Sequence, residues 1–384
     1  MAIEHISATA VPEAHDAAVR RPCRSVLMVG TGLETRGGIS AVVRSYIEGG
    51  LFDRFDVTYI VTHRDGGGLA KALAALRGYG RFCARLVTAD APLVHIHMSR
   101  AASFWRKSVV CVLSLLRGRP YILHIHSGAF GKFYDAECGA VAKWYVRALF
   151  ARAAFVVGLS EHWCAELARI APGARIRRVP NAVPLPPRIA TGSPQAPRIL
   201  YAGLIAEKKG AFDLVRAFAR VASRFPQAQL VCAGTGDMAG IAALAQELKV
   251  ETRVTFPGWL TPADLAREFS NAKMFALPSY AEGVPMSLLE AMSWALPVVS
   301  TPVGGIPEVV QSDRNGLLVP PGDVEALAAA LARLLESPSE CSRLGAAARA
   351  TVGETFSITT AMNELAAIYR ELGLADPPPA RTGQ

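Results

Sequence analysis

The chain has 384 residues, 51% hydrophobic and 19% charged, with 41 Lys and Arg against 32 Asp and Glu for a formal charge of +9. That length suits two domains, that composition excludes global disorder, and the charge suits an anionic partner such as a phosphate ligand or an anionic membrane face, with nothing beyond it to suggest nucleic acid. The seven cysteines stand singly without a CxxC pair, which argues against a thiolate zinc site or a disulfide scaffold and fits a reducing cytoplasm. Residues 1–21 lack the basic and apolar regions of a signal peptide and read as a disordered lead-in, and no run of eighteen apolar residues predicts a spanning helix.

The first predicted strand is SVLMVGTG, residues 25–32, followed by a helix from Gly38 with Ile39, Val42, Val43, Tyr46 and Ile47 on one stripe. FDVTYIVT, PLVHIHM, PYILHIHS and FVVGLS read as further strands, with helices after Gly68 and around residues 144–150 between them. The proline-rich stretch 179–198 reads as an interdomain linker, and the alternation then restarts. Strands come at RILYAGL, AQLVCAGTG, RVTFPG, KMFALPS, PVVST and GLLVP, and helices at 211–225, from 238, at 286–295, 323–336 and 340–352, with a last amphipathic one over 358–372. The alternation predicts an α/β protein of two doubly wound, Rossmann-like domains facing a central cleft, where ligands gather at strand ends.

Residues 282–299, EGVPMSLLEAMSWALPVV, place Glu282 and Glu290 in an otherwise apolar segment. Met286, Leu288, Leu289, Ala291, Met292 and Trp294 cover nearly every direction around the helix, which predicts that it is buried on all sides. A helix amino end binds phosphate, and a buried carboxylate can accept two hydrogen bonds from a vicinal diol. The other reading open to the residues is that Glu282 caps the helix and Glu290 pairs with a buried Arg or Lys. Gly37 and Gly38, in TRGGIS, form a second loop whose backbone can approach phosphate, or a plain tight turn. Gly30 and Gly32 begin a dinucleotide fingerprint, but Thr35 fills its third glycine position. His95, His97, His124 and His126 form two HxH pairs, without a neighbouring carboxylate or thiol cluster to complete a metal site.

The run SYAEGVPMSLLEAMSWALPVVSTPVGGIPEVV resembles the signature of retaining, nucleotide-sugar-dependent glycosyltransferases of the GT-B fold, family 4, the exopolysaccharide and lipopolysaccharide type of group 1 transferases. Its E-x7-E motif falls on Glu282 and Glu290, its glycine pair on Gly304 and Gly305, and its NGLLVPPGD on residues 315–323, and the likeness extends over most of 25–372. The resemblance implies that Glu282 contacts the donor sugar and Glu290 the ribose, with Gly283, Val284, Pro285 (by its carbonyl), Met286 and Ser287 against sugar and phosphates. It implies donor contacts at Gly37 and Gly38, at Gly203, and in the loop with Gly234 and Gly236. Lys209 would clamp the diphosphate, but Leu204 stands where the family has an arginine, and Lys208 or an arginine of the first domain could substitute. His126 would contact the donor sugar; His124 reads as a core residue or one that supports His126, His95 and His97 as structural with His97 alternatively lining the acceptor cleft, and Asn181 as a structural interdomain residue.

The resemblance further implies a division into residues 22–185 plus 356–373, binding the acceptor and completed by a crossover helix, and 186–355, binding the donor, with a disordered tail over 374–384. The expected reaction transfers a sugar from a UDP- or GDP-sugar to a saccharide, or a saccharide carried on a polyprenyl lipid, in cell-surface polysaccharide synthesis. It would run with retention by front-face attack. No Asp-x-Asp motif is present, so neither metal nor other cofactor is expected. Another GT-B activity, such as an epimerase or phosphorylase, and a non-catalytic nucleotide-sugar-binding protein are the alternatives. The segment 99–120 mixes Arg100, Arg106, Lys107, Arg117 and Arg119 with Phe104 and Trp105. It reads either as an ordinary crossover helix or as a peripheral contact with an anionic membrane on its cytoplasmic face.

Overall fold

The computed structural model describes residues 25–35, 37–90, 92–187 and 197–375. The lead-in expected over 1–21 lies outside the described residues. Six strands form the first sheet: β1 Ser25–Gly30, β2 Val57–Val61, β3 Pro92–Met98, β4 Tyr121–Ile125, β5 Phe155–Gly158 and β6 Ile176–Arg178, ordered β2-β1-β3-β4-β5-β6. Six more form the second: β7 Arg198–Ala202, β8 Gln229–Ala233, β9 Val254–Gly258, β10 Met274–Leu277, β11 Val298–Ser300 and β12 Leu317–Leu318, ordered β12-β11-β10-β7-β8-β9. Every pairing between them is parallel. β1, β3, β4, β5 and β10 are buried along their whole length, which is why they read as unbroken apolar runs. Chain order reverses beside β1 in one sheet and beside β7 in the other, so both sheets open a crevice at those strand ends. This is the GT-B architecture.

The last helix, Ile358–Glu371, buries Ala361, Met362, Leu365, Ala366, Ile368 and Tyr369 in a cluster with Val26, Met28, Val42 and Tyr46 of the first sheet's layer. Its amphipathic stripe is thus satisfied by the domain farthest from it in sequence. The Val183 backbone N–H donates to the Phe356 carbonyl at 3.1 Å, tying the two chain crossings together.

The structure revises or adds to the sequence reading at four points. The helix Met286–Ser293 buries Leu288, Leu289, Ala291, Met292 and Ser293, but Met286, Ser287 and Glu290 share an edge that is not closed over. Counting apolar directions overstated its burial because it cannot see where a neighbouring layer is missing. The stretch 179–198, read as an interdomain linker, begins as packed structure, with Val179, Asn181, Ala182 and Val183 buried, and its part 188–196 lies outside the described residues. Leu374, placed at the start of the expected tail, is buried and its N–H donates to the Tyr369 carbonyl, while 376–384 lie outside the described residues. Helices Glu161–Ile170 and Pro262–Asn271 and strand β6 went unread. Both helices carry a readable start signal, since the Ser160 and Thr261 side chains accept from the backbone N–H groups of Trp163 and Asp264. Among the described residues no helix is long and apolar enough to cross a membrane.

Candidate active site

β10 delivers Pro278 and Ser279 to the crevice, and the turn that follows carries Glu282. The Glu282 carboxylate accepts from Ser279 Oγ at 2.8 Å and pairs with Lys209 Nζ at 2.6 Å, with only 8% of its side chain exposed. Lys209 ends the short 3-10 turn Glu207–Lys209 that β7 feeds into helix Ala211–Ala222. Two strands adjacent in space therefore supply two charges that stand 73 residues apart in sequence. The alternative in which Glu282 caps the helix Met286–Ser293 does not hold: that helix has no side-chain cap, the Glu282 carboxylate pairs with Lys209, and the amino end stays free.

Glu290 contrasts with this. No hydrogen bond or ion pair engages its carboxylate among the described residues. Burial pushes its pKa up to about 7, against the weaker pull of Arg44, which reaches it from helix Gly38–Glu48 of the first domain. Glu290 is thus a carboxylate on the open edge of its helix, with accepting capacity that the described protein does not use.

The loops around this turn are tightly fitted. Gly304, at φ 56, lets the chain pass under the Glu282 carbonyl, where an added Cβ would overlap it. The Gly305 N–H donates to the Gly283 carbonyl at 2.9 Å. A Cβ at Gly234 or Gly236 would overlap the carbonyls of Gly203 and Ile205, so these glycines are required by loop-on-loop packing whatever they bind. Gly37 and Gly38 differ: a Cβ at either would meet nothing within 4 Å, leaving open ground at their helix's amino end. Leu204 is 44% exposed, and Lys208 is exposed without a side-chain partner among the described residues. Lys209, not Lys208, is the lysine brought to Glu282.

The first domain meets this site at several points. A Cβ at Gly128 would lie 2.7 Å from the Glu282 carbonyl and 2.9 Å from Gly283 N, so the two backbones touch there. Asn181 Nδ2 donates to the Val284 carbonyl at 2.8 Å. The Glu308 carboxylate accepts from Glu161 N and His162 N, both at 2.8 Å, at the start of a helix of the first domain.

The four histidines form one stack between β3 and β4, where His97 and His124 are register partners. Neighbouring rings lie 4.3 to 5.4 Å apart at 8 to 29°. Donor nitrogens of His95, His97 and His124 come within 4.8 Å of one another. Both His95 nitrogens are already engaged, with Tyr369 OH at 2.7 Å and His124 Nδ1 at 3.2 Å. Burial lowers the pKa of His95 and His126 to about 3 and keeps both neutral.

The family description "Glycosyl transferase 4-like domain" matches residues 26–182, and "Glycosyl transferases group 1" matches 189–351. Alpha-maltose-1-phosphate synthase of Mycolicibacterium smegmatis is 31% identical over 356 residues, covering 83% of this chain and 90% of its own. The chain belongs to the group 1 glycosyltransferases. The amylovoran biosynthesis glycosyltransferase AmsK of Erwinia amylovora is 33% identical over 182 residues, 46% of this chain and 45% of its own. HepE of Anabaena, solved with UDP, shares the fold with a TM-score of 0.72 at 18% identity, over 90% of this chain and 100% of that one.

In this glycosyltransferase, Ser279, Gly128, Arg44 and Glu308 lie around the candidate site and were not singled out by sequence reasoning. Ser279 was within reach of it, lying three residues before Glu282 at a strand end. The other three owe their place to packing between the two domains, which leaves no local signal.

Proposed function

We propose that this glycosyltransferase transfers a sugar from a UDP- or GDP-sugar to a saccharide acceptor in cell-surface polysaccharide synthesis, without a metal and with retention at the anomeric carbon. The observation that carries the reading is Glu290, an unpartnered carboxylate on the open edge of a helix whose amino end is uncapped. The ribose diol would bridge its two oxygens, and the diphosphate would meet that amino end and the amides of Gly283, Met286 and Ser287. Lys209 would turn part of its charge from Glu282 to the departing phosphate, leaving Glu282 to accept from the donor sugar. Gly37 and Gly38 would close over the same phosphates from the other side. HepE's complex with UDP favours uridine as the first base to try, and AmsK's role in amylovoran synthesis favours a polysaccharide acceptor.

The acceptor would enter from the first domain, whose helices present Leu69, Leu76, Trp105, Val109, Leu116, Val141 and Trp144 to solvent among Lys71, Arg77, Arg106, Lys143 and Arg147. That face suits a polyprenyl-linked acceptor at an anionic cytoplasmic membrane surface. A thermal-shift panel of UDP- and GDP-sugars, followed by product analysis with saccharide acceptors, tests the reading. A donor at about 100 times its Kd should add about 2.7 kcal/mol of stability. Absence of any shift, an epimer as product, or activity abolished by a chelator would each overturn the part it addresses.

A further inference from the structure

His97 Nδ1 lies 2.8 Å from His126 Nε2, a hydrogen bond in which one ring must donate and the other accept. The other nitrogen of His97, Nε2, is buried and has no partner. A buried N–H without an acceptor is costlier than a lone pair without a donor, so the proton belongs on His97 Nδ1. His124 Nδ1 pairs with His95 Nε2 at 3.2 Å and His95 Nδ1 with Tyr369 OH at 2.7 Å, a second hydrogen-bonded chain separate from the first. One ends on Tyr369 of the crossover helix. The other ends on His126, which is partly exposed and stands two residues before Gly128, where the domains touch.

We infer that His97 is a positioning residue that holds His126 in its Nδ1–H tautomer, so that His126 offers a hydrogen-bond donor, not an acceptor, to an oxygen of the substrate. The inference rests on the transferase reading for its substrate but not for its tautomer. No described residue engages His126 Nδ1, so its N–H is free for a hydroxyl or phosphate oxygen in the cleft. Lys107, fully buried, donates to the His97 carbonyl and stands near the stack, which adds to desolvation in keeping His126 neutral.

The test is long-range proton–nitrogen NMR on the full chain labelled with 15N-histidine, the rings assigned by single-histidine replacement. His126 should show a protonated Nδ1 and a bare Nε2 at neutral pH. A protonated Nε2, or an imidazolium, would overturn the inference. His97→Leu should free the ring to a mixture of tautomers and lower kcat on the order of tenfold, with donor KM within about threefold. His97→Asn, whose Nδ2–H sits near the lost donor, should recover turnover to within about threefold of the parent. Unchanged kcat in His97→Leu, or no recovery in His97→Asn, also counts against it. If the parent turns over no donor, the transferase reading fails, while the parent spectrum, which needs no substrate and no variant turnover, still decides the tautomer.

Discussion

The two sheets put their buried polarity in different places. Between β3 and β4 the first sheet sinks three fully buried histidines, and beside them the helix Ala102–Leu116 buries Lys107, whose pKa desolvation brings down to about 7. In the second sheet's layers Asp213 is a buried carboxylate in the first turn of helix Ala211–Ala222, bonded to Tyr280 OH at 2.7 Å, while Glu282 and Lys209 stand in the turns that follow β10 and β7. The second sheet is an apolar platform that carries chemistry on its rim. The first carries a polar column through its interior, from the crossover helix to the cleft. Buried polar columns must be satisfied along their whole length, whereas rim charges can be exchanged for a ligand. The difference suits a rim that grips a donor and a column that aims one side chain.

The largest test of the rim is Glu282→Ala. It should cost about 10² to 10³ in kcat with little change in nucleotide affinity, read by steady-state kinetics and by calorimetry with UDP. A loss confined to affinity would break the division of labour between the two glutamates. Gly304→Ala should destabilise by about 2–4 kcal/mol, measured by denaturant unfolding, because it forces a left-handed backbone and an overlap with the Glu282 carbonyl.

Glu290→Gln should act in two opposed senses. Folding raises this carboxyl's pKa from 4.5 to about 7, so the folded chain binds the proton more tightly and loses stability as pH climbs between those values. The substitution should flatten that decline, stabilising the ligand-free chain at pH 8 by about 1–3 kcal/mol while weakening UDP about tenfold. A parent and variant with parallel pH curves would contradict the unpaired carboxylate. Asn181→Ala should cost about 1 kcal/mol through the lost bond to Val284, with a modest rise in donor KM. Lys208→Ala should change stability by under about 0.5 kcal/mol and kcat by under about twofold. A large effect there would reassign the phosphate clamp.

The rim was legible in the sequence because its parts are local. Glu282, Gly304 and Gly305 sit at strand ends, and the strands are continuous apolar runs. Their partners were less so, since Lys209 reaches Glu282 only through the adjacency of β7 and β10. The column was legible only as two HxH pairs. Its stacking depends on the register that sets His97 against His124, and its far end on Tyr369, which is 274 residues from His95. The open edge of helix Met286–Ser293 escaped for a similar reason, because periodicity reports which faces are apolar and not which are covered.

One further consequence concerns synthesis. A ribosome extrudes the first sheet well before Ile358–Glu371 exists, so Val26, Met28, Val42 and Tyr46 wait without their covering helix, and His95 waits for its phenolic partner. The opening half of the polypeptide therefore cannot finish its interior until Ile358–Glu371 has emerged, and nascent chains stalled between the halves should attract chaperones and proteases more than released ones.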